Sequence, residues 1–526
     1  MFPALFTVWL VGEAILVWAT ISGLHRLGSL PCGVWLVGGA AALAAIRYRG
    51  RRLPILLAAL PCALLWLGLV GVTLEQRARV LTHQVRRAAL SSFGLAPAAG
   101  ERTASRPNIL VVVSDTLRAD HLPIYGYHRD TAPNLSALAE SAMVFERAYA
   151  QAPSTKPAIA SLFTSKYPSQ HGAIDNEHAL DDSLTTLAET LAAAGYRTGA
   201  FVENRTIGRE FRYDRGFEHW VMDPRRHAKR YKYLIRDMSL RDLDIQIDYW
   251  AEDNCKAECF LYVHYIDPHS PYEAPQGYLG YYGDADERVE ARLAVGDVAD
   301  EDIATLIDRY DEEIRYVDQR FANLVDTFEK LGLLDDTVVI FLSDHGEGFG
   351  EHGYTHHSTS VYSDLIHIPL IIRYPKRFPA GRSQLPVQHI DLFPTIAELV
   401  GADMAQAAVE GRSLLGALAP ARRDADETTI IAEHLRKGWG TPGRAIIRDG
   451  YKLVHHLDTD RYELFDVARD AGDANDLLAT ESTDAVASLK AELERHVKRT
   501  RASEEAVTVE ISDHTMNALR ELGYVD

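Results

Sequence analysis

Cysteine is nearly absent, with four in 526 residues. No second cysteine pair exists to complete a zinc ribbon, so that class is excluded. Cys32 and Cys62 fall inside apolar runs, whereas Cys255 and Cys259 lie four apart in "DNCKAECF". The plain reading of that pair is two unrelated small residues; outside the cytoplasm a local disulfide is the alternative. Positive charge is also short: 55 Lys and Arg stand against 74 Asp and Glu, a net charge of −19. The first 105 residues run the other way, with ten basic residues against three acidic ones, so the acidity sits in the body. Such a body repels phosphate backbones, which excludes nucleic acid as a partner. An anionic substrate would need a local counter-charge, either a metal ion or a helix N-terminus. Internal repeats are absent as well.

Long apolar runs are present, all near the start. Residues 2–24 carry a single charge, Glu13, and residues 27–46 and 53–74 carry none. At about 1.5 Å per residue each run spans a hydrocarbon core of ~30 Å. Residues 1–75 therefore read as a membrane region of three helices. A cleaved leader would be one run with a basic start. The basic loop "RYRGRR" stays cytoplasmic, which places the N-terminus inside and everything after residue 74 outside. Arg77, Arg79, Arg86 and Arg87 argue against that orientation. Residues 76–105 read as a basic helix and an Ala/Pro/Gly/Ser-rich flexible linker. The expected setting is the cytoplasmic (inner) membrane, multi-pass, with membrane lipids as neighbours and an extracytoplasmic body.

The body has α/β texture. "PNILVVVSD", "ECFLYVHYID", "TVVIFLSDHGE" and "HIPLIIRYP" are buried-strand runs. "TAPNLSALAESAMVF" has helical spacing, "SLTTLAETLAAAGYRTGAFV" reads helix, glycine stop, strand, and "YDEEIRYVDQRFANLVDTFEKLG" is a long amphipathic helix. Alternation of this kind implies a large, mostly parallel sheet sandwiched by helices. Sites in such sheets form at the carboxyl ends of strands. Asp115, His264, Asp267, Asp344 and His345 all lie there. After about residue 400, short strands and polar turns imply a small antiparallel sheet.

Two strand ends carry chemistry. A lone strand-end Asp is ordinarily a cap or turn residue. Asp115 together with Asp344-His345 and the glycine-rich "HGEGFGEHG" is harder to explain that way. Two carboxylates and an imidazole suit one divalent ion: Mn²⁺, Zn²⁺, Mg²⁺ or, with fewer nitrogens, Ca²⁺. In "YAQAPSTKPAIASLFTS", Ser154 and Thr155 are good helix caps and Pro157 suits a first turn. Thr155 either caps that helix only, or also turns its oxygen toward a metal and a bound anion.

"PNILVVVSDTLRADHLPIYGY" resembles the first signature of the sulfatase family, within the alkaline phosphatase superfamily. "TKPAIASLFTSKYPSQHG" is similar to that family's nucleophile helix, and "FLYVHYIDPHSPY", "VVIFLSDHGEGFGEHG" and "VYSDLIHIPLIIRYP" follow in the family's order. The resemblance covers about residues 106–526. It implies an alkaline phosphatase-like α/β fold, with residues 106–400 as the catalytic domain and 401–526 as a C-terminal subdomain completing it. Carried over, it makes Asp115, Asp344, His345 and the Thr155 oxygen metal ligands, with Thr155 at the nucleophile position. His269 and His357 fall where relatives contact the transferred group or the leaving oxygen. His264 is a further candidate in that region, and Lys156 a candidate for neutralising the anion. Each of these last four has a structural alternative as a hydrogen-bonded side chain.

The departures matter as much. Sulfatases mature a cysteine or serine in C/S-x-P-x-R to formylglycine; this chain reads Thr155-Lys156-Pro157-Ala158-Ile159. Threonine cannot follow that oxidation, because its β-carbon carries a methyl group. The second aspartate of the family's Asp-Asp pair is Thr116, which lowers the oxygen count and favours Mn²⁺ or Zn²⁺ over Ca²⁺ or Mg²⁺. A threonine nucleophile resembles that of the membrane-bound phosphoethanolamine and phosphoglycerol transferases of the superfamily. The resemblance thus implies a membrane-anchored, metal-dependent hydrolase or transferase acting on phosphate or sulfate esters of an envelope lipid or glycan. Its alternatives are a sulfuric ester hydrolase without formylglycine and a non-catalytic scaffold of the same fold. Nothing in the sequence sets an oligomeric state.

Overall fold

The computed structural model describes residues 105–223, 239–283, 298–417, 428–480, 483–500 and 506–521, together with Val289 and Arg292. The three expected membrane helices and residues 76–104 lie outside the described residues. Among the described residues no helix is long and apolar enough to cross a membrane.

The main sheet is built from β1 (Asn108–Ser114), β2 (Met143–Tyr149), β3 (Arg197–Val202), β4 (His219–Met222), β5 (Cys259–Tyr265), β6 (Thr337–Ser343), β7 (His367–Arg373), β8 (Gly381–Ser383) and β9 (Val387–Gln388). Its order is β4-β3-β5-β1-β6-β7-β2-β8, with β9 also pairing β2. β1 is central and pairs in parallel with β5 and β6. β7 alone runs antiparallel to both of its neighbours, β6 and β2. β1, β5 and β6 are buried at every position, as strands covered on both faces must be.

Around it lie α1 (Pro133–Ala139), α2 (Thr155–Thr164), α3 (Leu187–Ala193), α4 (Ser239–Asn254), α5 (Asp300–Lys330) and α6 (Leu392–Val400). Alternation along the strands sorts these into two layers. Ile109, Val111 and Val113 pack with Ile159, Leu162, Leu191 and Ile396 of α2, α3 and α6. Leu110 and Val112 pack with Leu135, Ile247, Ile314 and Phe321 of α1, α4 and α5. The expected mostly parallel α/β sandwich is the fold observed.

A second sheet, β10 (Ile430–His434), β11 (Gly443–Arg448), β12 (Tyr451–His456) and β13 (Arg461–Asp466), is an antiparallel meander. Ile446, Leu453 and Leu464 share a small core with Tyr167, Ile390 and Leu493; Leu493 lies on α7 (Thr483–Thr500). A buried Lys452–Asp473 pair at 2.6 Å, joined by the Ser363 hydroxyl, ties this sheet to the main body.

Two sequence expectations change. The helical spacing read across residues 131–145 holds only for α1. The chain then turns, and Met143–Phe145 enter β2, because pairing with β7 and β8 outweighs local propensity. Cys255 and Cys259 are a disulfide between α4 and β5, rather than two unrelated small residues.

Candidate active site

Asp115 follows β1, and Asp344 and His345 follow β6, so adjacent parallel strands deliver all three to one point. All are fully buried. One ligand atom from each lies within 4.8 Å of the others. Asp115 Oδ2 accepts from Asn204 Nδ2 at 2.6 Å and meets His264 Nε2 at 3.0 Å. Asp344 Oδ1 accepts from the backbone N–H groups of Thr116 and His345 at 3.0 and 2.9 Å. The second oxygens, Asp115 Oδ1 and Asp344 Oδ2, have no hydrogen-bond partner among the described residues. His345 Nδ1 donates to the Gly346 carbonyl at 2.8 Å, which fixes the tautomer with a lone pair on Nε2. That nitrogen sits 3.4 Å from Asp344 Oδ2 and 3.9 Å from Asp115 Oδ1.

Burial and the Asp115 charge push Asp344 up. Burial would raise Asp115 too, but the hydrogen bond from His264 and the nearby His269 hold it well below the usual carboxylate range. Two orphaned buried carboxylate oxygens and an imidazole lone pair converging on one point fit a divalent cation. Thr116 occupies the left-handed region, with φ 57, where a β-branched residue is strained. Its buried hydroxyl also lacks a partner among the described residues.

Thr155 is the first residue of α2, and Ser154 caps that helix without a side-chain bond. The Thr155 hydroxyl lies 3.2 Å from His345 Nε2 and accepts from Asn204 Nδ2 at 3.2 Å. It therefore faces the carboxylate cluster at a helix N-terminus, where the macrodipole favours an anion. Ile159, at the family's arginine position, is fully buried in the core under α2.

His269 and His357 are brought together, with ring centroids 4.8 Å apart, and the His357 ring is 4.7 Å from that of His345. His269 Nδ1 donates to the Ser270 carbonyl at 2.5 Å. His357 Nδ1 donates to Glu347 Oε1 at 3.3 Å, and the Tyr272 hydroxyl donates to Glu347 Oε2 at 3.1 Å. With Nδ1 as the donor in each ring, the neutral tautomer of both histidines carries its lone pair on Nε2. Burial pushes His269 down to about 4. Burial also lowers His357, opposed by the Glu347 charge. Burial would raise Glu347, but His357 outweighs it and brings the carboxyl down to about 2.

The other two candidates do other work. His264 Nε2 donates to Asp115 while Nδ1 accepts from the Tyr262 hydroxyl at 2.9 Å; it orients a carboxylate. Lys156 is not brought into the site. Its ammonium donates to the carbonyls of Asn176 and His178 and lies 3.3 Å over the Phe211 ring.

Asn204 and Glu347 are site residues that the sequence reading missed. Asn204 had a signal: it follows β3 and caps a short turn. Its Oδ1 accepts from Thr206 N at 2.9 Å and Thr206 Oγ1 at 2.7 Å, which aims Nδ2 at Asp115 and Thr155. Glu347 lay inside the quoted "HGEGFGEHG" without any pattern to single it out.

Residues 107–402 match the sulfatase family, and residues 350–502 match the C-terminal family of N-sulphoglucosamine sulphohydrolase. The choline-sulfatase of Rhizobium meliloti (strain 1021) is 25% identical over 426 residues, 70% of this chain and 81% of that protein. BT4656, solved in complex with D-glucosamine-2-N,6-O-disulfate, superposes with a TM-score of 0.63 at 19% identity, covering 76% of this chain and 98% of the other. The phosphonate monoester hydrolase of Agrobacterium radiobacter superposes with a TM-score of 0.61 at 20% identity, covering 77% and 100%. The chain belongs to the sulfatase family. It is an enzyme of that family of ester hydrolases.

Proposed function

We propose that this enzyme cleaves or transfers a phosphate ester of an envelope lipid or glycan, using the Thr155 hydroxyl as its nucleophile. The observation that carries the reading is the Thr155 oxygen at 3.2 Å from both His345 Nε2 and Asn204 Nδ2, at the start of α2. Asp115, Asp344 and His345 would hold one divalent ion, Mn²⁺ or Zn²⁺ in preference to Ca²⁺ or Mg²⁺. Such an ion supplies positive charge that lowers the hydroxyl pKa and offsets charge on the phosphoryl oxygens.

The chain's own residues then do the following. Thr155 loses its hydroxyl proton to solvent and attacks phosphorus; the Thr155 O–P bond forms as the bond to the leaving alcohol breaks. Asn204 Nδ2 holds the attacking oxygen in line. As an imidazolium, the form that the Glu347 carboxylate at Nδ1 favours, His357 gives its Nε2 proton to the leaving oxygen and is left neutral. His269 lines the same side. Water or an acceptor hydroxyl next displaces Thr155 from phosphorus and returns a proton to His357. The identity of that acceptor separates hydrolase from transferase.

Sulfuryl transfer is the second reading, favoured by the choline-sulfatase relative. The likeness to a phosphonate monoester hydrolase and the absence of an oxidisable residue at position 155 favour phosphorus. Anchoring by the three N-terminal apolar runs is proposed from sequence. The Cys255–Cys259 disulfide supports an oxidising compartment for the body. Full-length enzyme with Mn²⁺ or Zn²⁺ is assayed on bis(4-nitrophenyl) phosphate, 4-nitrophenyl phosphate and 4-nitrophenyl sulfate. Turnover of a phosphate ester, reduced at least about 10³-fold in Thr155→Ala, is expected. Turnover of the sulfate alone selects the second reading, and undiminished turnover in the variant removes the nucleophile assignment.

A further inference from the structure

Arg320 lies within α5, and its side chain is 2% exposed. Its guanidinium contacts three carboxylates. Nη1 and Nη2 donate to Glu203 Oε2 and Oε1 at 3.0 and 2.9 Å, a bidentate pair. Nη2 also donates to Asp244 Oδ1 at 2.9 Å, with Nε at 3.2 Å from Asp244 Oδ2. Nη1 lies 3.4 Å from Asp267 Oδ2. The guanidinium sits 3.9 Å over the ring of Tyr265, the last residue of β5.

Two of these carboxylates belong to the segments that carry site groups. Glu203 immediately precedes Asn204, the donor to Thr155. Asp267 lies two residues before His269. The segments are stitched to one another at the same place. Glu203 N donates to the His264 carbonyl at 3.0 Å, and Ile266 N donates to Glu203 Oε2 at 3.0 Å. His269 N donates to the Ile266 carbonyl at 2.8 Å. One planar fork therefore registers the end of β3 against the end of β5. A bidentate pair fixes orientation as well as distance, which a lysine ammonium cannot do.

We propose that Arg320 is a positioning residue for the reaction: it sets the placement of Asn204 against Thr155 and of His269 beside His357. This rests on the nucleophile reading above. Arg320 touches no substrate; it acts through the two segments it joins.

The test uses the full-length enzyme and two variants. Arg320→Lys keeps a positive charge without the fork. Glu203→Gln is the milder change, since an amide oxygen can still accept from Ile266 N and Arg320; it decides the matter if the lysine variant does not fold. The first readout is a crystal structure of the folded variant, with the Asn204 Nδ2 to Thr155 Oγ1 contact expected to lengthen beyond hydrogen-bond reach. The second is a double-mutant cycle on kcat against Asn204→Ala, using bis(4-nitrophenyl) phosphate. Each single change is expected to lower kcat by about 10–100-fold with KM nearly unchanged, and the double variant should fall within about threefold of the worse single. An unmoved Asn204, or losses that multiply, overturns the proposal. If the wild type turns over no ester, the functional reading fails by itself, and the variant structure still decides whether Arg320 places Asn204.

Discussion

The Thr155 oxygen is held by two residues, His345 and Asn204, whose strands are separated from it by long stretches of chain. Local sequence could therefore propose the threonine but not its partners. Asp115, Asp344 and His345 were legible because carboxylates at the ends of apolar runs stand out. Asn204 left only its place after a strand as a signal, and Glu347 left none, because their meaning lies in hydrogen bonds to side chains elsewhere in the chain. Lys156 shows the converse limit. It is next to Thr155 in sequence, yet successive helical residues point about 100° apart, and its ammonium goes to Asn176 and His178 instead. Lys156→Met should accordingly cost about 1–3 kcal/mol of stability, through two stranded carbonyls, while kcat stays within about threefold of wild type; chemical denaturation and steady-state assay measure the two. Glu347→Gln should lower kcat by about 10–100-fold. The loss should be larger for alkyl esters than for nitrophenyl esters, whose leaving groups need no proton; equal losses would remove Glu347 from the proton-transfer path.

At the scale of elements, the buried runs that became β1, β5, β6 and β7 were readable because a strand covered on both faces must be apolar throughout. β2 was hidden, since "MVFERAY" follows a helix without a turn signal and is a strand through its sheet partners. The turn after β6 is constrained at Gly346, where an added Cβ would lie 1.9 Å from the Asp364 carbonyl oxygen. Gly346→Ala is expected to destabilise the fold by at least about 1–3 kcal/mol and to displace His345; a thermal melt together with metal titration reads both. The small sheet depends on the fully buried Lys452–Asp473 pair. Lys452→Met leaves Asp473 buried and unpaired, at a cost of about 3–5 kcal/mol. Adding Asp473→Leu should recover a large part of that loss in the same melt, and no recovery would mean that the pair does not dock the sheet.

For the molecule as a whole, the family and the two-layer sandwich were legible from ordered motifs and strand–helix alternation, whereas the disulfide needed coordinates. Buried histidines also shape the stability of the body. Burial pushes His171 down to about 3 and His389 down to about 4. The folded state refuses protons that the unfolded chain binds from about pH 6.5 downward, so their contribution is complete above that pH and is lost as pH falls toward 4. Asp391, raised by burial to about 7, works in the opposite sense. Comparing His171→Gln with wild type isolates one group. Between pH 7.5 and pH 5 the variant should gain about 2 kcal/mol relative to wild type in denaturant unfolding, and an unchanged difference would contradict a neutral buried His171. The central claim concerns the atom that attacks. Its most direct test is peptide mass spectrometry of full-length enzyme quenched during turnover of bis(4-nitrophenyl) phosphate. The account predicts a phosphate-derived mass on the peptide containing Thr155, located on that residue. An adduct on another residue, or none while Thr155→Ala turns over at the wild-type rate, would contradict it.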